Sequence, residues 1–310
     1  MNATPSPVDA AAALLGAGEL VAFPTETVYG LGADARNDLA VARVYAAKGR
    51  PAFNPLIAHV ADFAAAEAIG IFNDDARKLA QAFWPGPLTL VVPRAKQCAV
   101  SRLASAGLDS IAIRIPDHPL AMALLWAAGF PVVAPSANPS GGLSPTTAAH
   151  VRNGLGTRVG MVLDGGACAI GLESTIVSCL GATPQILRSG GLARQAIEAL
   201  LGKSIAFHND AAAPQSPGQL ESHYAPRAAL RLNAEAPRAG EAWLGFGKPS
   251  VCGRTLSTRG DLVEAAANLF RMLHEIDATG AVAIAIAPIP MTGLGEAIND
   301  RLKRAAAPRP

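Results

Sequence analysis

From Val8 to Leu201 the chain alternates, with no regular repeat, between short β-type apolar runs and short helical stretches. ELVAFPT (Glu19 to Thr25), NPLIAHV, LTLVVP, SIAIRIP and PVVAP read as strands, rich in β-branched residues and bounded by proline, glycine or polar turns. Val8 to Ala17, Leu39 to Ala47, Asp74 to Phe83, Pro119 to Ala128 and Thr146 to Arg152 carry helical spacing. MVLDGG, STIVSC and PQILRSG add three strand-to-loop units, and Leu192 to Leu201 reads as a closing helix. A strict strand–helix–strand repeat would give an all-parallel sheet; its absence predicts an α/β domain with one twisted mixed sheet flanked by helices. ETVYGLGAD, with Gly30 and Gly32, reads as a loop.

Beyond Lys203 the texture changes. Prolines, little periodicity and no core pattern run to Arg227, a linker of roughly 25 residues against the ~4 to 6 usual inside a domain. EAWLGFG and AVAIAIA then read as strands. Leu262, Val263, Ala266, Leu269, Phe270, Leu273 and Ile276 trace one helix face, and GLGEAINDRLKRAAA reads as a terminal helix with its basic residues late, as the helix dipole prefers. The division expected is 1–202 as a first domain, 203–231 as linker and 232–310 as a smaller, Rossmann-like α/β domain.

Several function classes are excluded. Length and apolar content suit two cored domains: 310 residues, 50% hydrophobic, with mean hydropathy +0.27. No apolar run reaches the ~18 to 20 residues of a membrane span, and MNATPSPVDA lacks a signal-peptide pattern. The four cysteines, Cys98, Cys168, Cys179 and Cys252, form no CxxC, which argues against a zinc cage or disulfide scaffold and for a cytoplasmic chain. A net charge of +2 gives no global field for nucleic acid, so an anionic ligand has to be met by a local cluster.

Such clusters exist. KGRPAFNPLIAHV places Lys48 and Arg50 two apart at a helix end, followed by Pro51 and Pro55, which restrict the backbone. Arg offers a planar fork and Lys a point charge, and together they suit a polyanion; an ordinary solvated helix end is the other reading. Asn54 and His59 follow, His59 as a ligand contact or a core histidine. Arg114 lies within SIAIRIP on the face opposite three isoleucines, where it needs an anion. Asp117 or a ligand carboxylate would serve. PSANPSGGLSPT sets Ser136, Asn138, Ser140 and Ser144 in a loop after a buried strand, as ligand contacts or as plain turn chemistry. Ser174, Thr175 and Arg188 repeat the theme. There is no P-loop, no GxGxxG after the first strand, no GxSxG, no HExxH and no Cys/His nucleophile pair. Cations without a nucleophile set point to catalysis by holding and neutralising an activated phosphate.

FPTETVYGLG, KGRPAFNPL, WPGPLTLV, SIAIRIPDHP, APSANPSG, GLESTIV and ILRSGG, in this order, resemble the YrdC-like family of threonylcarbamoyl-AMP synthases. SPGQLESHYAP and GLGEAINDRLKRAA resemble its long, two-domain form. The resemblance implies that L-threonine, bicarbonate and ATP give threonylcarbamoyl-adenylate and pyrophosphate, and that a separate complex then transfers the group to tRNA. It assigns Lys48, Arg50, Asn54, Ser110, Ser136, Asn138, Ser144, Arg188 and Tyr224 to ATP, with Lys48 and Arg50 catalytic. It assigns Thr27, His59, Arg114, Ala134 (through its backbone) and Ser174 to threonine. Mg2+ is implied with ATP, without a protein cage. Tyr224 would reach back from the linker to cover the nucleotide. Two departures from the family pattern, Gln219 in SPGQ and Ser110 before IAIRIP, are mild. Competing readings are a carbamoyl-adenylate-forming maturation protein, which needs zinc fingers that are missing here, and a non-catalytic RNA-binding module.

Overall fold

A computed structural model of the chain describes residues 5–208, 217, 222–249 and 253–308. Ten strands among them form one mixed sheet. Its spatial order is Ala206–Phe207, Gln185–Arg188, Thr175–Ser178, Leu88–Pro93, Ser110–Arg114, Ile57–His59, Val132–Val133, Gly30–Asp34, Val21–Phe23 and Met161–Val162. In the middle, Leu88–Pro93 runs parallel to Thr175–Ser178 and antiparallel to Ser110–Arg114, which is parallel to Ile57–His59. The mixed sheet expected from the irregular strand–helix order is present.

Side-chain alternation divides this sheet into two faces. Leu88, Leu90, Val92, Ile111 and Ile113 enter the large core. Val91, Ala112, Ile57, Ile176 and Leu187 form a small apolar patch on the other face. Arg114 shares the phase of Ala112, so the alternation that buries the isoleucines also aims its guanidinium away from the main core.

Gly30–Asp34 is a buried strand, not the loop its glycines suggest. Close approach requires the glycines. A Cβ on Gly32 would lie 2.9 Å from the Phe23 ring and 3.0 Å from the Val21 carbonyl, and one on Gly30 would lie 3.0 Å from Ala134 Cβ. Helix Phe63–Ile69, capped by Asp62, is absent from the sequence reading because its alanine-rich face shows little periodic contrast. Helix Asp38–Lys48 starts where the Asn37 side chain accepts from Leu39 N and Ala40 N. It ends at Gly49, whose φ of 61° is the left-handed turn that glycine adopts freely. That turn delivers Lys48 and Arg50 to the site.

The second sheet is parallel, in the order Ala229–Arg231, Ala283–Ile286, Glu241–Gly245, Arg254–Thr255. Helices Leu262–Asp277 and Gly295–Ala306 pack with it. Asp261 caps the first through Val263 N and Glu264 N. Within the stretch read as linker, Ala206–Phe207 joins the first sheet and Ala229–Arg231 the second. The hydrophobic core of this second unit takes in Val28, Leu143 and Leu172 from the first domain, together with Tyr224. Gly171 (φ 72°) sits at that junction, where a Cβ would come 2.6 Å from the Ala266 carbonyl. Among the described residues no helix is long and apolar enough to cross a membrane.

Two histidines are buried with these cores. Burial, with nearby cations adding to it, pushes His59 and His223 each down to about 3. Unfolded, each titrates near 6.5. Above pH 6.5 neither state holds the proton, so stability is unaffected. Below it the unfolded chain binds protons that the folded chain refuses, so stability falls as pH drops. The pair is expected to cost about 3 kcal/mol between pH 6.5 and 5. Urea unfolding across that range measures it. His59→Gln should remove roughly half of this pair's share of the slope, and an unaltered slope would contradict the burial argument.

Candidate active site

The Gly49 turn places two cations differently. Arg50 is buried, its Nε donating to the Asn54 carbonyl at 3.1 Å and Nη2 to the Pro55 carbonyl at 3.0 Å. Burial brings its guanidinium down to about 10, still charged at neutral pH. Lys48 Nζ donates to the carbonyls of Ser136 and Asn138, and Ser140 N donates to the Lys48 carbonyl at 2.7 Å. Lys48 therefore braces the Ser136–Asn138 loop from behind. Burial, then repulsion from Arg50 and Arg158, holds its ammonium well below the usual lysine range.

Strand pairing brings the second group together. His59 lies opposite Arg114 in the parallel register of Ile57–His59 and Ser110–Arg114. Arg114 Nε donates to the Gly86 carbonyl at 3.2 Å, and Nη2 pairs with Glu26. The protein carboxylate that balances Arg114 is thus Glu26. Asp117 contributes only its backbone N–H, to Glu26 Oε2 at 3.0 Å. His59, depressed to about 3, faces this end neutral, with Nδ1 3.2 Å from the Ile57 carbonyl. Ala134 N donates to the Ile57 carbonyl at 3.1 Å. Thr27 Oγ1 shares a hydrogen bond with Thr25 Oγ1 at 2.8 Å.

The third group comes from the ends of Thr175–Ser178 and Gln185–Arg188. Arg188 donates from Nε and Nη2 to the Ser174 carbonyl and from Nη2 to Ser174 Oγ at 3.1 Å. Ser174 Oγ is 2.7 Å from Thr89 Oγ1. Glu173 accepts from Ser144 Oγ and, at 2.7 Å, from Arg301 Nε of the terminal helix. Burial alone would raise the Glu173 carboxyl; Arg301, Arg188 and the Ser144 hydroxyl together hold it below the usual value. Tyr224 and His223 close this side, their rings edge to face at 4.0 Å.

These groups line one cleft that is open to solvent, floored by Ile57 of the small apolar patch. Thr27, Arg50, His59, Arg114, Ala134, Ser136, Ser174, Arg188 and Tyr224 of the sequence-derived set line it. Lys48, Asn138 and Ser144 stand one layer behind, reaching the wall through the Ser136 loop and Glu173. Asn54 offers its carbonyl to Arg50. Ser110 is not among the lining residues; it opens its strand opposite Pro93, at the far end from Arg114. Pro217 is on the wall, whereas Gly218 and Gln219 lie outside the described residues, as does Cys252.

Sequence reasoning missed Glu26, Glu173, His223 and Arg301. The available signal was that acids and cations sit inside otherwise apolar motifs, in FPTETVYG, GLESTIV and HYAP.

Two features define the chemistry of this cavity. No carboxylate among the described residues is within ion-pair distance of Lys48, Arg50 or Arg188, although all three are buried. Buried polar atoms also lack partners: both side-chain atoms of Asn54, Asn138 Oδ1 and His223 Nδ1. Buried polar groups are normally satisfied, so both features point to an anionic, hydrogen-bonding ligand. Among the described residues no three His, Cys, Asp or Glu side chains gather as a metal site.

Comparison with known proteins agrees. The family model described as Telomere recombination (Sua5, YciO, YrdC) matches residues 13–190. The model for the threonylcarbamoyl-AMP synthase C-terminal domain matches 192–307. A threonylcarbamoyl-AMP synthase of Bacillus subtilis is 42% identical over 96% of this chain and 92% of its own. One from Pyrococcus abyssi is 39% identical over 96% and 94%. The crystal structure of P. abyssi Sua5 complexed with L-threonine superposes with a TM-score of 0.89 at 36% identity, covering 96% of this chain and 94% of that one. With both of its domains matched in order, the chain belongs to the Sua5 family of threonylcarbamoyl-AMP synthases.

Proposed function

We propose that the cavity makes L-threonylcarbamoyl-adenylate from L-threonine, bicarbonate and ATP, releasing pyrophosphate, as the first step in threonylcarbamoyladenosine modification of tRNA. The observation that carries this is the set of buried cations left without carboxylates beside unpartnered amide groups. A triphosphate supplies the missing negative charge beside Arg50 and Arg188.

In this reading threonine lies at the Arg114 end. Its carboxylate takes the guanidinium edge that Glu26 and Gly86 leave open, and neutral His59, Thr27, Ser174 and the Ala134 carbonyl surround its other groups. A carbamate forms when the neutral threonine amine attacks the bicarbonate carbon: an N–C bond replaces the C–OH bond, and the hydroxyl leaves as water with one proton from the nitrogen. One of its oxygens then attacks the α-phosphorus, and the bond to the β-phosphate bridging oxygen breaks. Charge grows on the departing pyrophosphate, and Arg50 and Arg188 offset it. Lys48 acts by fixing the carbonyls of the Ser136 loop, so the ligand meets a rigid wall.

Mg2+ accompanies ATP. Glu173 is engaged by Ser144 and Arg301, and Glu26 by Arg114, so the ion would rely on the phosphates and water for its ligands. It neutralises phosphate charge when bound. Residues 1–202 form the catalytic domain, 203–231 the linker and 232–310 the C-terminal domain. The free thiols of Cys98, Cys168 and Cys179 suit a cytoplasmic location, where a tRNA-modifying transfer complex would consume the product.

The test is pyrophosphate release that requires ATP, threonine and bicarbonate together. Release independent of threonine sinks the assignment, and salt-dependent RNA affinity without release favours an RNA-binding module. Arg50→Ala should raise the KM for ATP and cut turnover about a hundredfold while the thermal transition survives; unchanged kinetics remove Arg50 from the site. Arg114→Lys keeps a charge for Glu26 but loses the fork. It should raise the KM for threonine about tenfold and leave that for ATP within about twofold, whereas equal shifts in both would contradict the placement.

A further inference from the structure

The C-terminal domain sends one charge into the first domain. Arg301, on helix Gly295–Ala306, is 1% exposed. It donates from Nε to Glu173 Oε2 at 2.7 Å, from Nη1 to Asp300 Oδ2 at 2.6 Å and from Nη2 to the Ser189 carbonyl at 2.8 Å. Its guanidinium carbon also lies 4.8 Å from the centre of the Tyr224 ring, a cation–π contact. Tyr224 is held in turn by Phe270 of the second core, ring centres 5.8 Å apart. Of the residues that Arg301 touches outside its own helix, Glu173 and Tyr224 line the cavity, and Ser189 does not.

Glu173 is the anomaly of that wall. Around it, Arg188 is a buried guanidinium, His223 is depressed to about 3, Tyr224 is raised by burial, and the neighbouring carboxylate of Asp300 is engaged by Arg301. A bare carboxylate there would oppose a polyanion. Arg301 lies on the side away from the cavity lining and forms the close ion pair with it.

Resting on the reading of this cavity as an ATP site, we propose that Arg301 is a positioning residue for the nucleotide: from the C-terminal domain it cancels the Glu173 charge on the cavity wall and holds the Tyr224 ring, so that a triphosphate meets Arg50 and Arg188 unopposed. The second domain is then part of the active site's electrostatics. Threonine, a zwitterion bound at the Arg114 end, is little affected. A general loss of packing would weaken both substrates alike, which separates the two explanations.

The experiment compares wild type, Arg301→Met, Arg301→Lys and the double variant Arg301→Met/Glu173→Gln in the full-length chain. Arg301→Met should raise the KM for ATP about tenfold or more, with that for threonine within about twofold. Without Arg301, the Glu173 carboxyl loses the largest influence that holds it down against burial, and it rises relative to wild type. Relative to wild type, the KM for ATP should then be mildest at low pH, where Glu173 is protonated, and grow as pH rises and it ionises. The double variant removes both charges and should return the KM for ATP to within about threefold of wild type, without the extra pH dependence. A single variant with wild-type KM for ATP, equal losses for both substrates, or a double variant as impaired as Arg301→Met would each overturn the inference. If Arg301→Met does not fold, Arg301→Lys carries the test: about a threefold rise in the KM for ATP alone supports it, and no rise overturns it. Calorimetric ATP binding to wild type keeps the two failures apart. Wild type that binds no ATP defeats the functional reading and this inference with it, whereas wild type that binds ATP beside an indifferent Arg301 defeats the inference alone.

Discussion

Burying cations without carboxylate partners is the constraint around which the first domain is organised. An ion moved out of water into protein costs several kcal/mol even after relaxation. The chain meets that cost with backbone dipoles: carbonyls of Asn54 and Pro55 for Arg50, of Ser136 and Asn138 for Lys48, and of Ser174 for Arg188. Carbonyls solvate a cation without cancelling it, so the cavity keeps a positive field. Arg114 is the contrasting case. Glu26 neutralises it, and it stands where a ligand of no net charge is proposed to bind. The two ends of one pocket thus differ in charge because one set of guanidinium groups is matched by carbonyls and the other by a carboxylate.

Such an arrangement works only if the carbonyls cannot turn away. Pro51 and Pro55 bracket the Arg50 loop, and Pro135 and Pro139 bracket the Ser136 loop. Lys48 ties the second loop to the end of the helix that carries the first. Glycines let the supporting strands approach closely enough to hold both: Gly32 against Phe23 and Val21, Gly30 against Ala134. Rigidity reached in this way lowers the entropy lost on binding and keeps the dipoles aimed before the ligand arrives.

Much of the site was legible because a cation or amide inside an apolar strand or proline-rich loop is costly and therefore conspicuous. Arg50, Arg114, Ser136 and Arg188 stood out for that reason, and the isoleucine alternation around Arg114 correctly gave its face. The partners were not legible. Asp117, three residues from Arg114, was one of two candidate partners beside a ligand carboxylate, but tertiary packing brings Glu26 to the guanidinium. Arg301 read as a basic residue late in a terminal helix, which the helix dipole explains unaided. Its link to Glu173 spans 128 residues of sequence and exists only once two domains dock. The strand Gly30–Asp34 was hidden by the glycines that make it possible.

Docking has a further consequence. Tyr224 adopts a φ of 62°, a conformation that costs a residue with a Cβ roughly 1 to 3 kcal/mol. Such strain persists only when the surroundings over-determine it, and Tyr224 belongs at once to the cavity wall and to the core of the C-terminal domain. The ring is fixed by Arg301 on one side and Phe270 on another, both from that domain. Closure of the cavity is therefore stabilised by packing energy from outside the catalytic sheet. For a product that is a mixed anhydride of a carbamate and a phosphate, water is the competing nucleophile, and a wall held shut by a second core excludes it without adding reactive groups to the site. Divided in this way, the first domain supplies the buried guanidinium groups of the pocket, and the second supplies the apolar contacts that hold its wall shut together with the Arg301 charge that pairs with Glu173.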